Sequence, residues 1–273
     1  MSKVIAISNQ KGGVGKTTTC VNLSAYLAAM GKKVLILDID LQGNATSGLG
    51  VDKSKLDASM YDLLTGESEF SQTVLKTGVD GLDIVPSSID MAGAEAALLA
   101  VREGREKILK KIIAKIRNEA EYDFITIDCP PSLGLVTINA LTAADSTLIP
   151  ILCEFYPLEG LAQLMNTIRQ VKRQLNPALD VEGVVLTMYD SRSNLVISVT
   201  EEIHKYFGKK VFGTKIPRNI RLSEAPSHGL PVMQYDPRSA GGLAYKFLAE
   251  EFLERNNMKY KKVSNDLELK KRI

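Results

Sequence analysis

The sequence predicts a single α/β domain built on a doubly wound, mostly parallel sheet with helices on both faces. Short aliphatic and β-branched runs alternate with longer stretches of helical periodicity, the pattern expected when a parallel sheet is covered on both sides. No Gly/Ser-rich or Pro-rich linker divides the chain, and no internal repeat is present. We therefore assign residues 1–254 to one domain and residues 255–273 to a basic extension that is poorly packed.

The order of elements follows from that alternation. Strands are predicted at residues 4–7, 34–37, 82–85, 124–127, 147–151, 183–187 and 211–216. Helices are predicted near residues 17–30, 105–120, 134–144, 158–175, 195–207 and 239–255. Gly31 follows the first predicted helix, where a left-handed cap residue is expected.

Composition narrows the class of protein. The chain is 45% hydrophobic and 24% charged and contains no Trp, which excludes both a disordered chain and a disulfide scaffold. Cys20, Cys129 and Cys153 are far apart and lack a CxxC pattern, so reduced thiols are expected rather than a disulfide or zinc site. The N-terminal residues lack a signal-peptide pattern, and no apolar run approaches ~20 residues. We expect a cytoplasmic protein with no membrane association.

Charge is distributed unevenly. Residues 255–273 contain seven basic and two acidic side chains, a local charge of +5 within a total of +2, so the rest of the chain carries −3. The domain as a whole therefore has no basic excess. Any contact between the domain and nucleic acid must come from a local patch.

A glycine-rich segment follows the first predicted strand and precedes the first predicted helix, as a phosphate-binding P-loop requires. Glycines let backbone N–H groups turn toward phosphate oxygens, and the helix N-terminus adds the positive end of its dipole. Lys16 is expected at the β- and γ-phosphates, and Thr17 at Mg²⁺. The predicted nucleotide-binding residues here are Lys11, Gly12, Gly13, Val14, Gly15, Lys16, Thr17 and Thr18. The alternative is a glycine-rich turn without a ligand.

Three aspartates lie at the ends of predicted strands. Asp38 and Asp40 end the second strand, and Asp128 ends the strand at 124–127. Ligands of open α/β sheets bind outside the carboxyl ends of the strands, so these side chains can face the P-loop. The alternative is that each is a turn residue that ends a strand.

The loop resembles a specific family. Its first residue is Lys11, giving the motif KGGVGKTT, which is similar to the deviant Walker-A motif of ParA/Soj proteins, MinD and the nitrogenase iron protein. The resemblance implies that Lys11 reaches across a nucleotide-sandwich homodimer to the partner's phosphates. It also implies that Asp128 is the Walker-B carboxylate that holds Mg²⁺ through water, that Asp40 orients the attacking water, and that Asp38 lies near the metal.

Four further segments are similar to the ParA/Soj branch in particular. They are residues 40–46, 128–134, 154–160 and 216–226. Leu41 departs from the family pattern, which usually has proline after the second aspartate. The resemblance further implies an ATPase whose adenine contacts include Pro217 and Asn219, with Lys11, Lys16 and Asp40 as the catalytic residues.

The partners are expectations from the same resemblance. They are Mg²⁺ and ATP, a second copy of the chain, a ParB-type centromere-binding protein that stimulates hydrolysis, and nucleoid DNA. Basic residues at the positions of Arg192, Arg218 and Arg221 are expected to contact DNA phosphates without reading sequence; solvated or ion-paired arginines are the alternative.

Two other functions stay open. A MinD-like membrane role needs a C-terminal amphipathic helix, and Asp266 and Glu268 interrupt the few apolar residues of the tail. The other is a nucleotide-gated adaptor with little hydrolysis.

Overall fold

A seven-stranded sheet forms the centre of the computed structural model, which describes residues 2–153 and 157–263. The strands are β1 (Lys3–Ile7), β2 (Val34–Asp38), β3 (Leu75–Lys76), β4 (Leu82–Val85), β5 (Phe124–Asp128), β6 (Ser146–Leu152) and β7 (Asp180–Thr187). Their order is β3-β4-β2-β5-β1-β6-β7. β3 is antiparallel to β4, and the other pairings are parallel, so the predicted mostly parallel sheet is confirmed.

Helices connect the strands and cover the sheet. They are α1 (Lys16–Ala29), α2 (Asn44–Gly48), α3 (Met60–Thr65), α4 (Phe70–Thr73), α5 (Ala94–Ala100), α6 (Ile108–Glu119), α7 (Leu135–Ala143), α8 (Pro157–Gln174), α9 (Asn194–Phe207), α10 (Ile220–Glu224), α11 (Val232–Tyr235) and α12 (Ala240–Arg255). All six predicted helices are present. The sequence prediction missed the short helices α2 to α5, α10 and α11 and the two-residue edge strand β3.

Side-chain alternation along the strands divides the core into two layers. In β1, Val4 and Ala6 contribute to the layer under α5 to α9, whereas Ile5 and Ile7 contribute to the layer under α1 and α12. Because successive residues of a strand point to opposite faces, each central strand supplies both layers. Burial on both faces explains why the central strands are almost continuously apolar.

The strand predicted at residues 211–216 is wrong. Phe212 and Ile216 donate backbone hydrogen bonds to β7, but only Val211 and Pro217 form isolated bridges. Between them, the N–H groups of Gly213 and Thr214 donate to the carboxylate of Glu251 on α12, at 2.8 Å each. A side chain from another element thus replaces strand pairing, which the local sequence does not reveal.

Part of the predicted extension packs on the domain. α12 continues through Arg255, and Met258, Tyr260 and Val263 contact the core layer under α1. The N–H of Lys261 donates to the carbonyl of Met30 at 3.1 Å. Residues 264–273 lie outside the described residues, as do residues 154–156 of the family-like segment 154–160. Within the described ranges, no helix is both long and apolar enough to cross a lipid bilayer.

The central strands end at one edge of the sheet and bring the predicted site residues together. Ile7 of β1 and Asp38 of β2 are both paired in register with Asp128 of β5. The P-loop leaves β1 beside this aspartate and leads into α1. The candidate site therefore lies at the carboxyl edge of the sheet, where ligands of such folds bind.

Candidate active site

The loop between β1 and α1 has the backbone conformation of an anion-binding turn. Gly13 and Gly15 have φ of +72° and +85°, a left-handed region that side chains other than glycine rarely adopt. A Cβ built on Gly12 or Gly13 would meet no atom within 4 Å, so their surface is open. The loop can therefore surround a polyanion with N–H groups at the N-terminus of a 14-residue helix.

Neighbouring strands hold this loop in place. Asn9 donates from Nδ2 to the carbonyl of Pro150 in β6 at 2.7 Å, and its Oδ1 accepts the N–H of Lys11 at 3.0 Å. Thr187, at the end of β7, donates from Oγ1 to the carbonyl of Val14 at 2.9 Å. The loop is thus anchored before Gly12 and again between Gly13 and Gly15.

Lys16 begins α1 and lies mostly buried beneath the loop. Its Nζ donates to the carbonyl of Lys11 at 3.1 Å. Burial lowers the pKa of Lys16, while the negative charges of Asp128 and Asp40 raise it in part. A phosphate at the loop would favour the charged ammonium and supply the acceptors that burial removes.

Asp128 is the most incomplete polar group of the site. Its carboxylate is fully buried, and within the described ranges neither oxygen has a hydrogen-bond partner. Burial raises its pKa well above the ordinary value, and the charge of Asp38 raises it further, while the Thr17 side chain and Lys16 lower it. A buried carboxylate without donors is costly unless a cation or water satisfies it, so Asp128 and Thr17 fit a Mg²⁺ site.

Asp38 has a different environment from that of Asp128. Its Oδ2 accepts two hydrogen bonds from Thr46 of α2, one from N–H at 2.8 Å and one from Oγ1 at 2.7 Å. Burial raises the pKa of Asp38, and these bonds lower it in part. Asp38 therefore fixes α2 next to the site, and its predicted place near the metal stays a prediction.

Asp40 lies in a tight turn after β2. Its Oδ1 accepts the N–H of Gln42 at 3.0 Å, and its carbonyl accepts Ser87 Oγ at 2.6 Å and Gly43 N–H at 2.9 Å. Lys53 donates to the carbonyl of Gln42 at 2.7 Å. These bonds order the turn without the proline that the family usually has at position 41, where Leu41 is 42% exposed.

The predicted adenine contacts lie beyond the end of β7. Pro217 forms a bridge with Tyr189, which brings the segment before α10 next to the strand. Asn219 accepts the N–H of Arg221 through Oδ1 at 3.0 Å and so caps α10. The structure adds this capping role, and base recognition by Pro217 and Asn219 stays a prediction.

The three predicted DNA-binding arginines are exposed or partly exposed near the same segment. Arg192 forms an ion pair with Asp190, and Arg221 forms ion pairs with Glu224 and Asp236. The charge of Arg218 lowers the pKa of Asp190, so Arg218 is near that carboxylate. The ion-paired alternative is thus present for Arg192 and Arg221.

Four structural roles could not be predicted from the sequence. Thr46 holds Asp38, Ser87 holds the Asp40 turn, Thr187 holds the P-loop, and Lys53 braces Gln42. Only Thr46 belonged to a segment that the family resemblance marked, and the resemblance gave it no role. The fold brings Ser87 and Thr187 to the site from distant positions in the chain, whereas Thr46 and Lys53 lie 8 and 11 residues from their partners.

Comparisons with known proteins match this architecture. A family model described as an AAA domain matches residues 2–181. The sporulation initiation inhibitor protein Soj of Bacillus subtilis is 56% identical over 92% of this chain and 98% of its own. The chromosome partitioning protein ParA of Caulobacter vibrioides is 47% identical, covering 93% and 94% of the two chains.

A solved structure agrees with these relatives. Cobyrinic acid a,c-diamide synthase from Mycobacterium smegmatis, crystallised with ADP and magnesium, is 36% identical, covers 97% of this chain and 100% of that chain, and superposes with a TM-score of 0.81. The span of the family model, residues 2–181, includes the P-loop and the three strand-end aspartates and ends before the candidate arginines. The chain therefore belongs to the AAA-domain family and, within it, to the ParA/Soj group.

Proposed function

We propose that this chain is a Mg²⁺-dependent ATP hydrolase of DNA segregation. ATP binding closes a sandwich homodimer, the dimer binds double-stranded DNA without sequence preference, and hydrolysis stimulated by a ParB-type partner releases the DNA. The protein would act in the cytoplasm on the nucleoid. The name of the Caulobacter relative, chromosome partitioning protein ParA, supports partition as the process, and the solved relative crystallised with ADP and magnesium supports the ligand.

One observation of the structure carries the nucleotide part of the proposal. The buried Asp128 carboxylate, which accepts no hydrogen bond from the part of the chain that the structure describes, lies close to Lys16 and Thr17. Such a carboxylate is the group that a phosphate-bound Mg²⁺ requires. When bound, Mg²⁺ would be held by Asp128 and Thr17 and would neutralise part of the phosphate charge.

The rest of the catalysis comes from residues of this chain that position the phosphates and the attacking water. Lys16 and the N–H groups of the loop hold the phosphates and stabilise the charge that develops on the transferred phosphoryl group. Asp40 orients a water molecule, which bonds to the γ-phosphorus as the bond to the β–γ bridging oxygen breaks, giving ADP and phosphate. Lys11, exposed at the loop, acts on the phosphates of the second subunit.

Hydrolysis measured with and without DNA and the ParB-type protein of the same cell tests the proposal. Asp40→Ala should bind ATP normally, lower turnover by roughly 100-fold or more, and keep the dimer closed. Hydrolysis at the parent rate would remove Asp40 from the water-orienting role. Tight ATP binding with negligible turnover in the parent would instead favour the nucleotide-gated adaptor.

Two other roles give distinct results in the same series. A MinD-like protein would cosediment with anionic vesicles in the presence of ATP and would not need DNA. The solved synthase relative could suggest amide formation, but the higher identity to Soj and ParA favours partition. ATP turnover that required an added carboxylic acid would reverse that preference.

A further inference from the structure

Two of the arginines that are candidates for DNA contact, Arg192 and Arg221, form ion pairs with carboxylates of the same chain. Asp190 and Arg192 form a two-pronged pair, with Nε to Oδ1 at 2.9 Å and Nη2 to Oδ2 at 2.8 Å. The backbone N–H of Arg192 also donates to Asp190 Oδ1 at 3.0 Å. The pair uses the same planar arrangement of N–H groups with which a guanidinium binds a phosphate.

The second pairing involves carboxylates on two sides of one guanidinium. Arg221 donates from Nη1 to Glu224 Oε2 at 2.8 Å and lies 3.2 Å through Nε from Asp236 Oδ2. Tyr235 donates to the same oxygen of Glu224 at 3.1 Å. Arg221 is therefore held within α10 and also from the end of α11.

Asp190 and Glu224 remain ionised at physiological pH, because their arginine partners lower the pKa of each carboxyl group. The hydrogen bonds from Arg192 hold the pKa of Asp190 at about 2, and those from Arg221 hold the pKa of Glu224 below its ordinary value. Their negative charge therefore stays next to any approaching DNA. Exposed ion pairs are individually weak, so a phosphate can displace them, but only in competition.

We propose that Asp190, Glu224 and Asp236 set the DNA affinity of this protein by competing with DNA phosphates for Arg192 and Arg221. The inference rests on the proposed function. In a single subunit the competition leaves little net attraction, since the domain carries −3. A dimer presents two sets of arginines and can contact several phosphates at once. Its attraction to DNA then exceeds the competition from the carboxylates.

The test measures fluorescence anisotropy of a labelled duplex, with ATP or ADP, at several salt concentrations. Asp190→Asn and Glu224→Gln keep the side-chain size and remove one charge each, at two separate ion pairs. Each should raise affinity about three- to tenfold in the ADP state, as expected when one more phosphate contact forms, and steepen the salt dependence.

Asp180→Asn is the matched control. Asp180 is also an exposed aspartate paired with one cation, Lys210 at 2.6 Å, but it begins β7, whereas Asp190 follows the end of that strand. An equal gain in DNA affinity in Asp180→Asn would show that the change in net charge, rather than competition for an arginine, raises the affinity. That result would overturn the inference. Unfolding midpoints of all variants establish that each is folded, and the two ion pairs give independent tests.

The double variant Asp190→Asn/Arg192→Ala gives the sharpest result. The gain of Asp190→Asn should disappear in it, because the gain acts through Arg192. Retention of the gain, or unchanged affinity in both single variants while the parent binds DNA, would overturn the inference and leave the proposed function intact. No DNA binding by the parent at low salt with ATP would overturn both.

Discussion

The phosphate loop and the arginine surface meet opposite electrostatic requirements. At the loop, Asp128 is buried without a partner among the described residues, and Lys16 is held by a backbone carbonyl. At the surface, Arg192 and Arg221 are exposed to solvent and already paired with carboxylates. Under the proposed function, the loop would gain ligands for Lys16 and Asp128 when Mg²⁺ and ATP bind, whereas the surface arginines would exchange carboxylates for DNA phosphates.

This difference leads to different consequences of substitution. Removing a group from the buried site leaves charges uncompensated in a low-dielectric environment, where the cost is large. Removing a group from the exposed surface changes the competition between carboxylates and DNA phosphates for the arginines. Each of these interactions contributes little free energy in water, and salt screens it. Strong, nearly complete losses are therefore expected at the loop, and graded changes at the surface.

Lys16→Ala should have the largest effect. It removes the ammonium that compensates both the phosphates and Asp128, so we expect nucleotide affinity to fall on the order of 100-fold. Equilibrium binding of a fluorescent ATP analogue measures the loss. Lys110→Ala, on the exposed face of α6, is the control and should bind like the parent. Near-parent affinity in Lys16→Ala would contradict the assignment of the loop.

Lys11→Ala separates the nucleotide site from the dimer. Lys11 is exposed, and the loop is anchored through the backbone N–H of Lys11 on Asn9 and through the carbonyl of Val14 on Thr187. We expect ATP affinity within a few-fold of the parent and loss of the ATP-dependent dimer, measured by size-exclusion chromatography with light scattering. A dimer of unchanged stability would exclude Lys11 from a role across the interface.

Thr46→Val tests the support beneath the site. It keeps the shape of the side chain but removes the hydroxyl that donates to buried Asp38 and accepts the N–H of Ser87, which should lower the free energy of unfolding by about 1–3 kcal/mol. Urea denaturation measures the change in the free energy of unfolding. Thr46→Ser, which keeps a hydroxyl, should retain most of the parent's stability. Parent stability in Thr46→Val would show that the hydrogen bond to Asp38 contributes little.

Arg221→Glu should have the smallest and most salt-dependent effect. It removes one phosphate-binding cation per subunit and adds negative charge, so DNA binding should weaken several-fold. The log–log salt slope should flatten by roughly 0.9 for each phosphate that the variant no longer neutralises. The ATP dimer should remain intact in light scattering. Unchanged affinity and slope would place Arg221 outside the DNA-binding surface.

The arrangement of residues around the buried phosphate loop could largely be predicted from the sequence. The motif at residues 11–18 specifies its own local conformation, and strand-end aspartates must converge where parallel strands end, so Lys16, Asp38 and Asp128 were correctly brought together. The chain fold was predicted for the same reason, since strongly periodic segments determine their own structure. What binds at these residues stays a prediction.

The rest depends on contacts between distant parts of the chain. Glu251 replaces strand pairing at Gly213 and Thr214, and nothing near residues 211–216 indicates this. Similarly, Asp236 reaches Arg221 only because α10 and α11 pack together. Exposed arginines are also common, so the sequence pattern alone could not show whether they were solvated or already paired.

The most direct measurement of the central claim is DNA affinity as a function of nucleotide state. Asp40→Ala with Mg²⁺ and ATP should bind two duplexes of unrelated sequence with equal affinity, at least about tenfold more tightly than the same protein with ADP, and with steep salt dependence. The ADP and ATP states would bind DNA equally if the account were wrong, because nucleotide binding at the buried loop would then not control the arginine surface.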